Sequence, residues 1–78
     1  MPMYEFRIAL YVRHYERIYS EVENVLGLFG FNDQLSEIDT SGGHATFRIN
    51  IEKPLPDKAL GKLRDISSLD VLIKNPKK

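Results

Sequence analysis

Over residues 4–12 the chain alternates strictly, with Tyr4, Phe6, Ile8, Leu10 and Val12 on one side and Glu5, Arg7, Ala9 and Tyr11 on the other. Successive side chains of an extended strand point to opposite faces, so this pattern predicts a half-buried strand. The rhythm then changes to spacings of three and four. Tyr15, Ile18, Tyr19, Val22, Val25, Leu26 and Phe29 fall on one stripe of a helix predicted over 14–29. Glu16, Arg17, Ser20, Glu21, Glu23 and Asn24 take the opposite face, with Arg17 and Glu21 one turn apart as an exposed pair. Gly27 weakens the last turns, and Gly30 is placed to form a left-handed C-cap.

A second strand is predicted over 34–40, on only two apolar residues, Leu35 and Ile38. The turn after it is better marked, because Ser41-Gly42-Gly43 supplies the positive φ that a tight hairpin needs. Ala45, Phe47, Ile49 and Ile51 then alternate with His44, Thr46, Arg48, Asn50 and Glu52, which predicts a third strand. Pro54-Leu55-Pro56 ends it, since proline cannot donate to a sheet ladder. Asp57 is the expected N-cap of a short helix whose stripe is Leu60, Leu63 and Ile66, and Ser67-Ser68 break it. In the last strand Leu69, Val71 and Ile73 point inward and Asp70, Leu72 and Lys74 outward.

The predicted order is strand, long helix, two strands, short helix, strand. Two split βαβ units of this kind close into a two-layer α+β sandwich of the ferredoxin-like class, βαββαβ. Right-handed crossovers give an antiparallel four-stranded sheet of order 4-1-3-2 with both helices on one face. Residues 1–78 form one domain with 74–78 as a frayed basic tail. In that topology the loop after the first strand, the hairpin and the loop before the last strand share one end. Arg13, His14, Gly42, Gly43, His44, Ser67 and Ser68 gather there, and Arg13, His14, Gly42, Gly43 and His44 are the candidate ligand-binding residues.

Composition narrows the function. Eleven basic and eleven acidic residues cancel, whereas nucleic-acid binders carry a basic excess to neutralise phosphates, so no nucleic-acid partner is expected. There is no cysteine, which removes disulfides, thiolate metal sites and cysteine nucleophiles and fits a reducing, cytoplasmic setting. The longest apolar run, 25–31, is far short of the roughly 20 residues that a spanning helix needs, so no direct membrane insertion is expected. The Met1-Pro2-Met3 opening fits a domain excised from a larger parent. A thin core at this length is commonly supplemented by self-association.

No catalytic constellation stands out: the serines lie in a helix, a turn and a helix end, and Gly42-Gly43 precedes a strand rather than a helix, unlike a phosphate loop. Arg13-His14-Tyr15-Glu16 lacks the glycine-rich, arginine-bearing loop of an acylphosphatase. No enzyme activity and no cofactor are expected. His14 and His44 come from neighbouring antiparallel strand ends, where together they are a candidate divalent-metal pair beside Asp39 or Glu16. RNA-recognition domains stack bases on aromatics of the first and third strands, but here Phe6 and Phe47 turn inward. The outward residues Arg7, Tyr11, Arg48, Asn50 and Leu72 make an uncovered sheet face that serves as a candidate dimer surface, with edge-to-edge strand pairing as the other route.

The stretch Ala45-Thr46-Phe47-Arg48-Ile49-Asn50-Ile51-Glu52, followed by Leu60, Leu63, Ile66 and Leu69-Asp70-Val71, resembles the third strand, second helix and closing strand of ACT-type regulatory domains. The resemblance covers about half the chain and consists of apolar spacings. It implies a non-catalytic regulatory module that dimerises through its sheet and binds a small effector. Amino-acid-binding ACT domains carry an acidic residue and a glycine entering the first helix; Val12-Arg13-His14-Tyr15-Glu16-Arg17-Ile18 has no glycine, so no binding residue carries over there. The long first helix also looks like the ACT-like C-terminal domains of MgtC-type membrane proteins. The alternatives are therefore an interaction or structural appendage of a larger protein, without ligand, and a metal-responsive module using His14 and His44.

Overall fold

The structure, a computed structural model, describes residues 3–9 and 13–74. Three strands form one antiparallel sheet: β1 (Met3–Ala9), β2 (His44–Asn50) and β3 (Asp70–Lys74), in the order β2-β1-β3. Along the central strand, Phe6 faces Phe47 on one side and Val71 on the other, while Glu5 faces Arg48 and Leu72. Two helices, α1 (Tyr15–Leu28) and α2 (Asp57–Arg64), make the connections.

The alternation seen in the sequence decides what lies between the layers. Tyr4, Phe6 and Ile8 of β1, Ala45, Phe47 and Ile49 of β2, Ile18, Val22 and Leu26 of α1, and Ala59 and Leu63 of α2 form one buried cluster. Both helices therefore cover the same face of the sheet. Phe47 is the centre of this core, stacked on Phe6 at 5.3 Å between ring centroids and met edge-on by Tyr19 at 4.7 Å. Such aromatic pairs add to the area they bury. The Tyr4 hydroxyl is not left unpaired in this apolar layer, because it accepts the Leu55 N–H at 2.9 Å.

The helix ends reflect local chemistry. Gly30, at φ 83°, turns the chain out of α1, and Phe31 N–H reaches the Leu26 carbonyl at 2.9 Å while Gly30 N–H reaches Gly27 at 3.2 Å. These two bonds are those of a Schellman cap, and they satisfy carbonyls that the helix end leaves open. At the start of α2 the N-cap is Pro56, whose carbonyl accepts Leu60 N–H at 3.1 Å, and Asp57 is the first helical residue rather than the cap expected of it. Asp57 still places a negative charge in the first turn, where the helix dipole favours it.

The second of the four predicted strands, over 34–40, does not form, so the sheet has three strands instead of the order 4-1-3-2. Asn32–Gln34 is a 3-10 turn, and residues 35–40 touch β2 only at two isolated bridges, Leu35 with Ile49 and Asp39 with Thr46. Between these bridges the outer segment advances four residues while β2 advances three. One residue is therefore extra, the defining feature of a β-bulge. The cause is in the sequence: Leu35 and Ile38 are an odd number of residues apart, so a regular strand would send them to opposite faces. With the extra residue both pack against the core. Ser36 repairs the broken ladder by taking the Arg48 N–H on its hydroxyl at 2.8 Å while its own N–H reaches the Arg48 carbonyl at 2.8 Å. The turn after it is as expected, with Gly42 and Gly43 at φ 73° and 81°.

No helix among the described residues is long and apolar enough to cross a membrane. Lys74 closes β3. The expected continuation of the first strand through Leu10 and Val12, and the rest of the expected tail, 75–78, lie outside the described residues.

Candidate functional site

The face of the sheet turned away from the helices carries the most unusual arrangement in the molecule. Glu5, on the central strand, is only 3 % exposed although no helix covers it. Its cover comes from three cationic side chains. Arg7 Nε donates to Glu5 Oε2 at 2.6 Å, Arg48 Nε donates to Glu5 Oε1 at 3.1 Å, and Lys74 Nζ lies 3.4 Å from Oε1. One cation comes from each strand, because Arg7 is two residues beyond Glu5 on β1, Arg48 sits directly opposite on β2, and Lys74 is one same-face step from Leu72 on β3.

Burial is the largest influence on the Glu5 carboxyl and by itself would raise its pKa. The hydrogen bonds from Arg48 and Arg7, with the charges of Lys74 and Arg7, together outweigh it and hold the group below the ordinary carboxylate value of 4.5. The three cations remain close to half exposed, at 41, 48 and 46 % of their side-chain surface. Each cation thus meets the carboxylate with its charged group while about half of its side chain stays in water. Both arginines reach Glu5 through Nε, the innermost nitrogen of the guanidinium group.

Beside this cluster lies a shallow, almost wholly polar recess of about 380 Å³, lined by Glu5, Arg7 and Arg48 together with Asp39, Gly42 and His44 among others. Asp39 is exposed, and its carboxyl is held below its usual range mainly by the Ser41 N–H, which donates to Oδ1 at 3.0 Å, and by the Ser41 hydroxyl. His44 Nδ1 is 3.3 Å from the Gly42 carbonyl.

The residues expected to gather at one end are divided between two recesses. Gly42 and His44 line the polar recess on the open face, whereas His14, Ser67 and Ser68 line a groove of about 790 Å³ between α1 and α2. Gly43 completes the turn, and Arg13 is exposed just ahead of α1. His14 works there through its backbone, its carbonyl accepting Arg17 N–H at 3.0 Å and Ile18 N–H at 3.2 Å, with no capping bond from its ring. Among the described residues there is no group of three or more His, Asp or Glu side chains arranged to hold a metal ion. Of the candidate dimer surface, Arg7, Arg48, Asn50 and Leu72 lie on the open face as expected from the alternation, and Tyr11 lies outside the described residues.

Sequence reasoning passed over Glu5 and Lys74 as site residues. The signal for Glu5 was available: a carboxylate on the outward side of the central strand has Arg7 at i+2 and Arg48 as its cross-strand partner once the first and third predicted strands pair. Compared with protein-family models, with curated protein sequences and with solved structures, the chain matches none.

Proposed function

We propose that this chain is a non-catalytic regulatory module that pairs with a second copy of itself and relays the binding of a small effector. The regulatory part rests on the likeness to ACT-type domains, carried by residues 45–52 and the apolar positions of the second helix and closing strand. The pairing rests on one observation, the self-complementary outer strand. β3 ends the sheet, so its outer backbone edge meets no strand among the described residues. Such an edge invites pairing with another chain.

The sequence of β3, Asp70-Val71-Leu72-Ile73-Lys74, suits an antiparallel pairing centred on Leu72. Asp70 of one copy then faces Lys74 of the other, Leu72 faces Leu72 on the open side, and Val71 faces Ile73 on the helix side. Ile73, left 45 % exposed in the single chain, gains a partner. Opposite charges and apolar residues directly across a ladder are each favourable. The two sheets become one six-stranded sheet whose open face holds both Glu5 clusters.

Light scattering across a concentration series tests the pairing. The expected mass is that of two chains, falling to one on dilution; a single-chain mass at every concentration contradicts it. A thermal-shift panel of small effectors tests the relay, because a ligand at one hundred times its dissociation constant adds about 2.7 kcal/mol of stability. Silence across the panel favours an interaction appendage without ligand.

A further inference from the structure

The polar recess on the open face has more organisation than a solvated sheet surface requires. Arginine and lysine side chains at such positions ordinarily move freely, and holding them in place costs side-chain entropy. Here Arg7 and Arg48 are tied to a single carboxylate from opposite sides, at 2.6 and 3.1 Å. Anchoring both guanidinium groups at Nε leaves their terminal amino groups out of these two hydrogen bonds. Guanidinium forks bind carboxylate and phosphate through two parallel N–H bonds when they are positioned in this way.

The charge balance points the same way. The recess is lined by Arg7, Arg48 and Lys74 against Glu5 and Asp39, an excess of one positive charge. Asp70 pairs in register with Arg7 but does not line the recess. Glu5 is enclosed and already occupied by its three cations, so it acts as the anchor rather than as a competing charge at the mouth. Hydrogen-bonding neighbours complete the lining: the Ser41 and Thr46 hydroxyls and the His44 ring. The apolar fraction of the wall is negligible, which disfavours a hydrophobic ligand.

We infer that the recess formed by Arg7, Arg48, Lys74 and His44 over Glu5 binds a small oxyanion, a carboxylate or phosphate group, as the effector of the module. This rests on the regulatory reading for its role, and it names the effector's chemistry. Lys74 is shared with the proposed β3 pairing, whereas Arg7 and Arg48 lie on the other two strands, so variants at the two arginines separate anion binding from self-association.

The test monitors the arginine Nε–H resonances of the full chain by nuclear magnetic resonance during titration with inorganic phosphate and, separately, with malonate. The expected result is saturable movement of the Arg7 and Arg48 signals at millimolar probe, in at least one of the two titrations. The arm that saturates at the lower concentration identifies phosphate or carboxylate as the preferred group. Arg48→Lys keeps the charge but loses the fork, and it should weaken binding about tenfold or more, equivalent to about 1.4 kcal/mol per tenfold. Arg7→Lys, on the other strand, should do the same and guards against one variant being misfolded. Unmoved arginine signals with both probes, or lysine variants that bind as well as the original, overturn the inference. Light scattering on the same variants keeps the two proposals apart: loss of phosphate binding with the dimer intact belongs to the recess, and a single-chain protein that still binds phosphate refutes only the pairing.

Discussion

The two faces of the sheet are built from the same strands yet are held by different physics. On the inner face Phe6, Phe47 and Val71 line up across β2, β1 and β3, and one residue away on the outer face Arg48, Glu5 and Leu72 do the same. The inner row is covered by two helices and is held by apolar area, which is non-directional and large. The outer row has no covering layer, and its buried carboxylate is held by hydrogen bonds from groups that remain half in water. The inner face makes the fold stable. The outer face organises a cluster of charge and is expected to add less stability than the core.

Substitutions at matched positions separate the two faces. The largest effect is expected on the inner face: Phe47→Ala removes the ring that meets both Phe6 and Tyr19, and should cost about 3–5 kcal/mol, enough to unfold much of so small a domain. Urea denaturation monitored by circular dichroism measures it. On the outer face Glu5→Gln should cost less, about 1–3 kcal/mol, because the cations it releases turn to water rather than remain buried and unpaired. A loss from Glu5→Gln equal to that from Phe47→Ala would erase the distinction between the faces.

Acid should abolish the outer-face contribution selectively. The Glu5 carboxyl titrates below its unfolded value, so its stabilisation is complete above about pH 4.5 and drains away as pH falls through the lowered folded value. The stability difference between the original chain and Glu5→Gln should therefore be present at neutral pH and shrink in acid. A difference that stays constant from neutral to strongly acidic solution would show that the charge of Glu5 is not what matters.

The smallest of these effects belongs to the edge. Ser36→Ala removes the hydroxyl that accepts the Arg48 N–H and should cost about 1 kcal/mol. Faster hydrogen exchange at the Arg48 amide is the accompanying local sign, and an unchanged rate would contradict the repair described for the bulge.

The inner face was legible because its signal is periodic and redundant. Tyr4, Phe6 and Ile8 of the first strand, the alternating apolar positions of the long strand after the turn and the stripe of α1 each point to the same core, and errors at single residues do not alter it. The absence of the strand predicted over 34–40 was legible only in part. Two apolar residues three apart break the strand period, and the bulge that reconciles them is set by the partner strand, which a local pattern does not contain. The Glu5 cluster was hidden for a related reason. Each of its charges reads as an ordinary solvated residue until the β2-β1-β3 order places Arg7, Arg48 and Lys74 around one carboxylate. The expected gathering of His14 with His44 depended on end-to-end topology alone, and the two residues line different recesses.

The central claim is that β3 pairs with β3 of a second copy, and reversal of its end charges tests it most directly. Asp70→Lys leaves lysine at both ends of the paired strands, and Lys74→Asp leaves aspartate at both, so each variant alone should repel itself and sediment as a single chain. Mixed in equal amounts, the two variants carry complementary ends and should form a two-chain species in analytical ultracentrifugation. Variants that each remain dimeric, or a mixture that stays monomeric while the original chain pairs, would contradict pairing through this strand.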